Sequence, residues 1–444
     1  ALAGNDRIYE AFFRQTGIIR IDELRDLVYF TLVYLCGRTP KGKNAAILTD
    51  SGGPGVEMAD RCEEFGLHVP ELSGATRAKI QAAIPSYGSS RNPIDMTAAI
   101  MTDHALYAKC LRAIFEDDAV DLVFAPGVFM GYVPPELLDD ALDIYRSSAK
   151  PMVLCPVWAD SSPESQAMVE RVRQEGIPMI PEASDAARAM AALVHYVQKR
   201  KAAAQATDPP RGIAPDGRER VKMLLQKSGG LTEFDSKQIL DAYGIAVPRE
   251  RTAASANEAV WAARRIGYPV ALKVLSADIP HKTEAGGIRL NLNSDEAVRD
   301  AFEDILQNAR KHAPGALLQG VVVQERQEGG VEVRVGVTRD PVFGPCVMFG
   351  LGGILVEVLK DVSFSVAPLS AADADEMIRE VKGARVLAGV RGKPASDIPA
   401  IVDVILKVSQ LAVDFAGEIE ELDLNPLMVF PKGARVADAL IVKK

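Results

Sequence analysis

The hydrophobic and polar positions of this chain follow two different rhythms. In the first half, short apolar runs alternate with amphipathic stretches. The runs are "NAAILTD" (44–50), "VDLVFAPGV" (120–128), "KPMVLCPVW" (150–158) and "GIPMIP" (176–181), and the stretches between them include "DHALYAKCLRAIFED" and "SPESQAMVERVRQEG". Runs of this length suit strands buried on both faces, and their alternation with helices predicts βαβ units and a parallel sheet. The expected fold is therefore α/β, with a flavodoxin-like doubly wound domain over 41–200. In the second half, the helical patterns "FDSKQILDAYG" and "ANEAVWAARRIG" precede strand-like runs such as "PVALKVLS", "GIRLNL", "GVVVQER" and "VEVRVGVTRD". A helix-rich region (371–416) and "IEELDLNPLMVF" follow. Grouped strands predict an α+β domain over 221–444. Lys199–Arg220 is rich in Ala, Pro, Gly and charge, and reads as the end of a long helix running into a linker at 201–220. Residues 1–40 read as the end of a preceding domain and a connector. The apolar run Leu27–Gly37 is too short for a membrane span and lies too far in for a signal peptide, so a buried helix is expected there.

Composition narrows the class. The chain has 444 residues, more than one core holds. Its net charge is −9, with no run of lysines or arginines, which argues against nucleic acid or an anionic membrane as partner. The five cysteines are odd in number and lack zinc spacing, as expected of reduced, mostly buried thiols in a cytoplasmic protein. The chain opens on "ALAGNDRIYEAFF", without Met, so a portion of a longer protein is expected.

Several stretches carry residues of chemical use. "TDSGGPGVEMADRCEEFG" predicts a strand, a Gly-rich turn and a helix starting near Val56. Free amides at a helix N-terminus favour an anion, but a turn needing glycine only for its backbone explains the pattern equally well. Neither GK[ST] nor GxGxxG follows, which excludes the Walker and dinucleotide patterns. "SRNPIDMTAA", with Asn92, Pro93 and Asp95, is a loop that can cap the next helix or line a cleft, though turn chemistry alone explains it. Lys273 lies inside an apolar strand pattern, either on a solvated face or aimed into a cleft. The loop after it brings His281 and Lys282 near Gly286 and Gly287, whose flexible backbone can fold over phosphates; a solvated hairpin tip is the plainer alternative. Gln324, Glu325, Glu332 and Arg334 surround a Gly-Gly turn, as an adenine and ribose site or an ordinary charged hairpin would. Gly350, Gly352 and Gly353, then Glu357, Lys360 and Asp361, mark a close backbone or ligand approach. Asp423 and Asn425 alternate along a strand-like run, and a turn at Pro431–Gly433 returns the chain to Asp438. Such hard oxygen ligands suit Mg²⁺ with a nucleotide phosphate as co-ligand, a solvated strand face being the alternative.

In order, a lysine strand, a Gly loop, a carboxylate-bearing hinge, a Gly-rich strand and paired oxygen ligands resemble an ATP-grasp domain, in which two α+β subdomains clamp Mg-ATP. "SGGPGVEMAD", "NPIDMT", "HKTEAGGI", "FGPCVMFGLGGILVEVLKD", "RGKP" with "DI", and "ELDLNPLMV" together resemble the ADP-forming (NDP-forming) acyl-CoA synthetases, relatives of succinyl-CoA synthetase, across essentially the whole chain. The resemblance implies the reaction acid + CoA + ATP ⇌ acyl-CoA + ADP + phosphate, with a histidine as phosphoryl carrier. It further implies that Lys273 binds ATP phosphates, that Gly286 and Gly287 cover them, and that Glu325 and Glu332 lie by adenine and ribose. Asn425 and Asp438 match the Mg²⁺ ligands. Gly52, Gly53 and Gly55 match the turn opening a helix whose N-terminus steadies a phosphohistidine. His281 matches a second, loop-borne histidine of the ADP-forming group, which succinyl-CoA synthetases lack. Fused members begin with a CoA-binding Rossmann domain and a domain with its phosphohistidine in a Ser-His-Thr-Gly run, neither of which this sequence contains. The implied partners are thus CoA, a carboxylic acid, and those domains on the same or another chain of a homo- or hetero-oligomer. Ligation coupled to a further step such as lyase cleavage, and a non-catalytic nucleotide-binding module, stay open as alternatives.

Overall fold

Three of the four apolar runs of the first half become strands buried along their whole length: β1 (Ala45–Thr49), β3 (Leu122–Pro126) and β4 (Met152–Cys155), with a short β2 (Ile94–Asp95) beside them, while 176–181 forms only a single bridge at Met179. This is seen in a computed structural model that describes residues 6–127, 135–156, 162–205, 215–279, 281–352, 361–389 and 394–444. The chain divides into two units, one of residues 16–205 and one of residues 1–15 with 206–444.

In the 16–205 unit all pairings are parallel and the strand order is β2-β1-β3-β4. Single bridges from His68 to Asn44 and from Met179 to Leu154 continue the sheet beyond these strands. Alternate side chains of β1 enter two separate cores. Ala46 and Leu48 face α4 (Gly74–Ala83), α5 (Ala105–Glu116), α6 (Pro135–Arg146) and α7 (Pro163–Gln174). Ala45 and Ile47 face α2 (Leu24–Leu35), α3 (Gly52–Glu64) and α8 (Ala183–Gln205). Helices thus cover both faces of a parallel sheet, the doubly wound arrangement the alternating pattern predicts. The expectation of a buried helix near Leu27 needs correction. Helix α2 turns Asp26 and Val33 inward but leaves Leu24, Leu27, Val28, Leu32, Tyr34 and Leu35 exposed. It is apolar on both sides, and only one side is covered.

The other unit holds two antiparallel sheets. The first has order β5-β8-β6-β7, from β5 (Glu250–Ala253), β6 (Val270–Val274), β7 (Ile288–Leu292) and β8 (Val321–Glu325). Helices α11 (Ala256–Ile266) and α12 (Asp295–His312) share a core with it. The second has order β11-β10-β9-β12-β13, from β9 (Val331–Asp340), β10 (Gly344–Leu351), β11 (Val362–Val366), β12 (Ile419–Val429) and β13 (Ala434–Val436), with β14 (Ala439–Lys443) also paired to β12. Its core includes side chains of α9 (Pro215–Leu225), α10 (Glu233–Ala242), α13 (Ala371–Glu380) and α14 (Ile398–Asp414). Each sheet with its helices makes one α+β layer. The first helix, α1 (Asp6–Thr16), belongs to this unit and lies along the edge strand β11. All five cysteines are free, with Cys36 half-buried and the others buried. Among the described residues no helix is long and apolar enough to cross a membrane.

Candidate functional site

Antiparallel pairing of β12 with β14 sets Asp423 opposite Leu440 and Leu424 opposite Ala439, so the next residues along, Asn425 and Asp438, converge. The Asn425 amide donates to the Asp438 carbonyl at 3.2 Å. Both residues line a cleft of about 790 Å³ together with Lys273, Gln324, Glu325 and Glu332. That volume is ordinary for a small-molecule site. An adjoining pocket of about 450 Å³ shares Asn425 and Asp438 and adds His281, Lys282, Arg334 and Asp423. His281, exposed on its loop, therefore stands at the second pocket rather than in the cleft itself. Arg334 and Asp423 form a two-point ion pair there, at 2.7 and 3.0 Å.

Three lysines of the cleft, the adjoining pocket and the core beneath them are tied to one buried carboxylate. Lys273, on β6, is only 7% exposed at its side chain, which rules out the solvated face. Its ammonium donates to Glu233 Oε1 at 2.7 Å and to the Ala437 carbonyl at 2.9 Å, and lies 3.5 Å from Asp438 Oδ2. Lys282 lies 3.0 Å from Glu233 Oε2 and 3.4 Å from Asp438 Oδ1. Beneath them the fully buried Lys237 donates to Glu233 Oε1 at 2.6 Å, Glu250 Oε2 at 2.9 Å and Gln324 Oε1 at 2.9 Å. Burial pushes the Glu233 carboxyl up, but the ammonium groups of Lys237, Lys273 and Lys282 outweigh it and hold the group well below the usual carboxylate range. Burial lowers Lys282, yet Glu233 and then Asp438 leave it above its ordinary value. Sequence reading gave Glu233 and Lys237 no role, because a Glu and a Lys four apart on a helix usually mark an exposed pair. The signal was their phase: Glu233, Lys237 and Leu240 share one face, and Leu240 is core.

Gly286 has φ +61°, and a Cβ there would stand 3.1 Å from Asn308 Nδ2. A Cβ on Gly287 would meet Val274 Cγ1 at 2.7 Å. The amides of Gly286 and Gly287 donate to the Thr283 and Lys282 carbonyls at 3.1 and 2.8 Å, so they close the loop on itself. Glu325 grips Arg249 at 3.0 and 3.2 Å, and that hydrogen bonding holds its carboxyl below the usual range. Glu332 is exposed at the cleft wall. Asp361 accepts the Lys382 and Gly383 amides at 3.0 and 2.8 Å. Gly353, Glu357, Lys360 and the Arg391–Lys393 part of the "RGKP" run lie outside the described residues.

No cluster of three or more His, Cys, Asp or Glu side chains able to hold a metal occurs among the described residues. The donor set Asn425 and Asp438 instead fits a hard cation held by one or two protein oxygens and completed by phosphates and water, the habit of Mg²⁺.

Gly52, Gly53 and Gly55 open α3 in the other unit, at the carboxyl end of β1. Gly55 is needed for close packing, since a Cβ there would come 2.9 Å from Thr49 Cγ2. Beside this turn Asp50 is buried, and its Oδ1 has no hydrogen-bond partner among the described residues. Burial, then the charge of Asp95, raises its carboxyl to about 7. Asp95 Oδ1 accepts the Thr97 amide at 2.8 Å, and Thr97 sits at φ +59°, a strained angle for a β-branched residue.

A family model described as an ATP-grasp domain matches residues 222–442. Acetate–CoA ligase [ADP-forming] I of Archaeoglobus fulgidus is 37% identical over 443 residues, covering 100% of this chain and 63% of that protein. The chain thus spans less than two thirds of that curated relative's length. The beta subunit of acetate–CoA ligase [ADP-forming] I of Pyrococcus furiosus is 47% identical over 225 residues, which is 51% of this chain and 97% of that subunit. A dinucleotide-forming acetyl-coenzyme A synthetase 1 chain of Ca. Korarchaeum cryptofilum, solved in complex with coenzyme A, Ca-AMPCP and HgCl+, is 44% identical. It superposes with a TM-score of 0.50, over 51% of this chain and 100% of that one. Identity of 47% across nearly the whole of the Pyrococcus subunit, with 37% over the full length of this chain to the Archaeoglobus enzyme, places the chain in the family of ADP-forming acyl-CoA synthetases.

Proposed function

We propose that this chain is the nucleotide-binding and phosphoryl-relay portion of an ADP-forming acyl-CoA synthetase. The net reaction is acid + CoA + ATP ⇌ acyl-CoA + ADP + phosphate. One observation carries the reading: Asn425 and Asp438 line both the cleft that holds Lys273 and the pocket that holds His281. A nucleotide whose phosphates reach Lys273 would present its last phosphate to the wall it shares with the histidine. Lys273 and Lys282 neutralise phosphate oxygens, which is most of what phosphoryl transfer asks of a protein. Asn425 and Asp438 would hold Mg²⁺, which supplies further charge neutralisation between the phosphates when bound. A neutral imidazole nitrogen of His281 attacks the γ-phosphorus, the bond from that phosphorus to the bridging oxygen breaks, and ADP leaves. In the other unit, the α3 N-terminus at Gly52 and Gly53 suits a phosphoryl group by its free amides. CoA, the carboxylic acid, and CoA-binding and phosphohistidine domains on the same or another chain complete the reaction. The separate beta subunit of the Pyrococcus furiosus relative supports an assembly of more than one chain.

The test is incubation with Mg²⁺ and ATP labelled at the γ-phosphate. The expected product is a chain carrying acid-labile, base-stable label, lost in His281→Ala. Label retained in that variant overturns the carrier assignment, and no nucleotide binding overturns the whole reading.

A further inference from the structure

Of the charged groups around the cleft, Glu233 stands apart, because it lines the His281 pocket and yet touches both Lys282 of that pocket and Lys273 of the cleft. Its carboxylate sits at the start of α10, whose N-cap Thr232 and Asp235 form a reciprocal capping box that fixes the backbone there. One oxygen takes Lys237 and Lys273 at 2.6 and 2.7 Å, and the other faces Lys282 at 3.0 Å. Asp438 reaches the same two lysines, Lys273 and Lys282, only at 3.5 and 3.4 Å, and is 26% exposed against 2% for Glu233. The short, dry contacts therefore belong to Glu233 and the long, wet ones to Asp438. On the functional reading above, Asp438 turns to a cation when nucleotide binds, and Glu233 is the carboxylate that keeps hold of the lysines.

Lys282 is the residue after His281, so whatever fixes its ammonium also fixes the loop that carries the imidazole. We propose that Glu233 is a positioning residue: it sets the spacing of Lys273 and Lys282 and, through Lys282, tethers the His281 loop to the wall of the nucleotide cleft. Lys237 seats the carboxylate from below. It is fully buried, and its other partners are Glu250 and Gln324. The proposal rests on the functional reading for what the cleft holds, but the tether itself is a statement about the unliganded chain.

The experiment compares Glu233→Gln with Glu250→Gln. Each removes one buried negative charge from the partners of Lys237, but only the first touches Lys273 and Lys282. In Glu233→Gln each lysine keeps another carboxylate, Glu250 for Lys237 and Asp438 for the other two. Hydrogen exchange of the Gly286 and Gly287 amides, followed by mass spectrometry without nucleotide, reads the tether. Exchange about tenfold faster in Glu233→Gln and unchanged in Glu250→Gln is expected for local release of the loop. The rate of ATP-dependent labelling at saturating nucleotide should fall about 100-fold in Glu233→Gln, as expected when a reacting group is misplaced by about an ångström. Equal effects of the two variants, or wild-type exchange in a folded Glu233→Gln, overturn the proposal. Should Glu233→Gln not fold, Lys282→Gln cuts the same tether from the loop side, and unchanged exchange there overturns it as well. If the wild type takes no label at all, the functional reading fails while the exchange data still decide the tether.

Discussion

Asp50 shows what one buried group does to the parallel-sheet unit. It follows the last residue of β1, where α3 begins one residue later but one, at Gly52. Its Oδ1 lies so close to Gly127 that a Cβ there would stand 2.3 Å from it, and Gly127 holds φ +85°. No described donor reaches that oxygen, so the charged form is poorly solvated and the carboxyl rises to about 7. The folded value lies above the unfolded one, so the folded state binds this proton more tightly. The resulting stabilisation is complete below about pH 4 and is lost as pH climbs through about 7. Asp50→Asn copies the protonated shape without the proton. Its Tm should come close to the wild type near pH 3.5 and exceed it clearly at pH 8, with calorimetry at both values as the check. An equal difference at both would show that Asp50 is charged throughout.

At the scale of elements, strands were legible wherever burial was two-sided, because an unbroken apolar run such as "AAILT" has few other uses. Helix α2 was not, because its composition promised burial while tertiary structure covers only the Asp26 and Val33 side. The loop from His281 to Gly287 was legible as a Gly loop, but not in its reason for glycine. Without a ligand these glycines close a turn, with Gly287 pressed against Val274 and the Lys282 carbonyl. Gly287→Ala places its new methyl 2.7 Å from Val274 Cγ1 and 3.1 Å from that carbonyl, the second a backbone atom that cannot swing away. The loop must shift, at a cost of about 1–3 kcal/mol if the fold is kept. Labelling of His281 by ATP should slow more than nucleotide affinity weakens, since Lys273 on β6 is untouched. Single-turnover labelling beside calorimetric ADP binding separates the two, and parallel losses in both would mean that the cleft itself had collapsed.

For the whole molecule, the pattern of the chain showed two architectures with Lys199–Arg220 between them, and one fact of connectivity was hidden. Residues 6–15 do not stand apart from the unit of two antiparallel sheets but pack on its edge strand, because long-range pairing leaves no periodic trace in sequence. Strand β11 ends its sheet and would otherwise show unpaired backbone groups. Helix α1 covers them with side chains. Arg14 donates to the Phe364 carbonyl, and Gln15 both donates to the Val366 carbonyl at 2.9 Å and accepts its amide at 3.0 Å. Phe12 stacks on Phe343 at 4.5 Å, Tyr9 meets the same ring edge-on at 4.9 Å, and Arg14 pairs with Glu380 at 2.7 Å. Each aromatic pair contributes about 0.5–1.5 kcal/mol beyond its buried area, and the half-exposed ion pair at most about 1. A protease site placed within 206–214 tests what this covering does. After cleavage the first fragment still carries α1, so both fragments should elute together in gel filtration. Phe12→Ala combined with Arg14→Ala removes the stacked ring and the paired guanidinium, and the cut fragments should then separate. Separation of the unsubstituted fragments would show that α1 follows the sheet edge without holding it. Co-elution of the doubly substituted ones would move the attachment elsewhere in the chain.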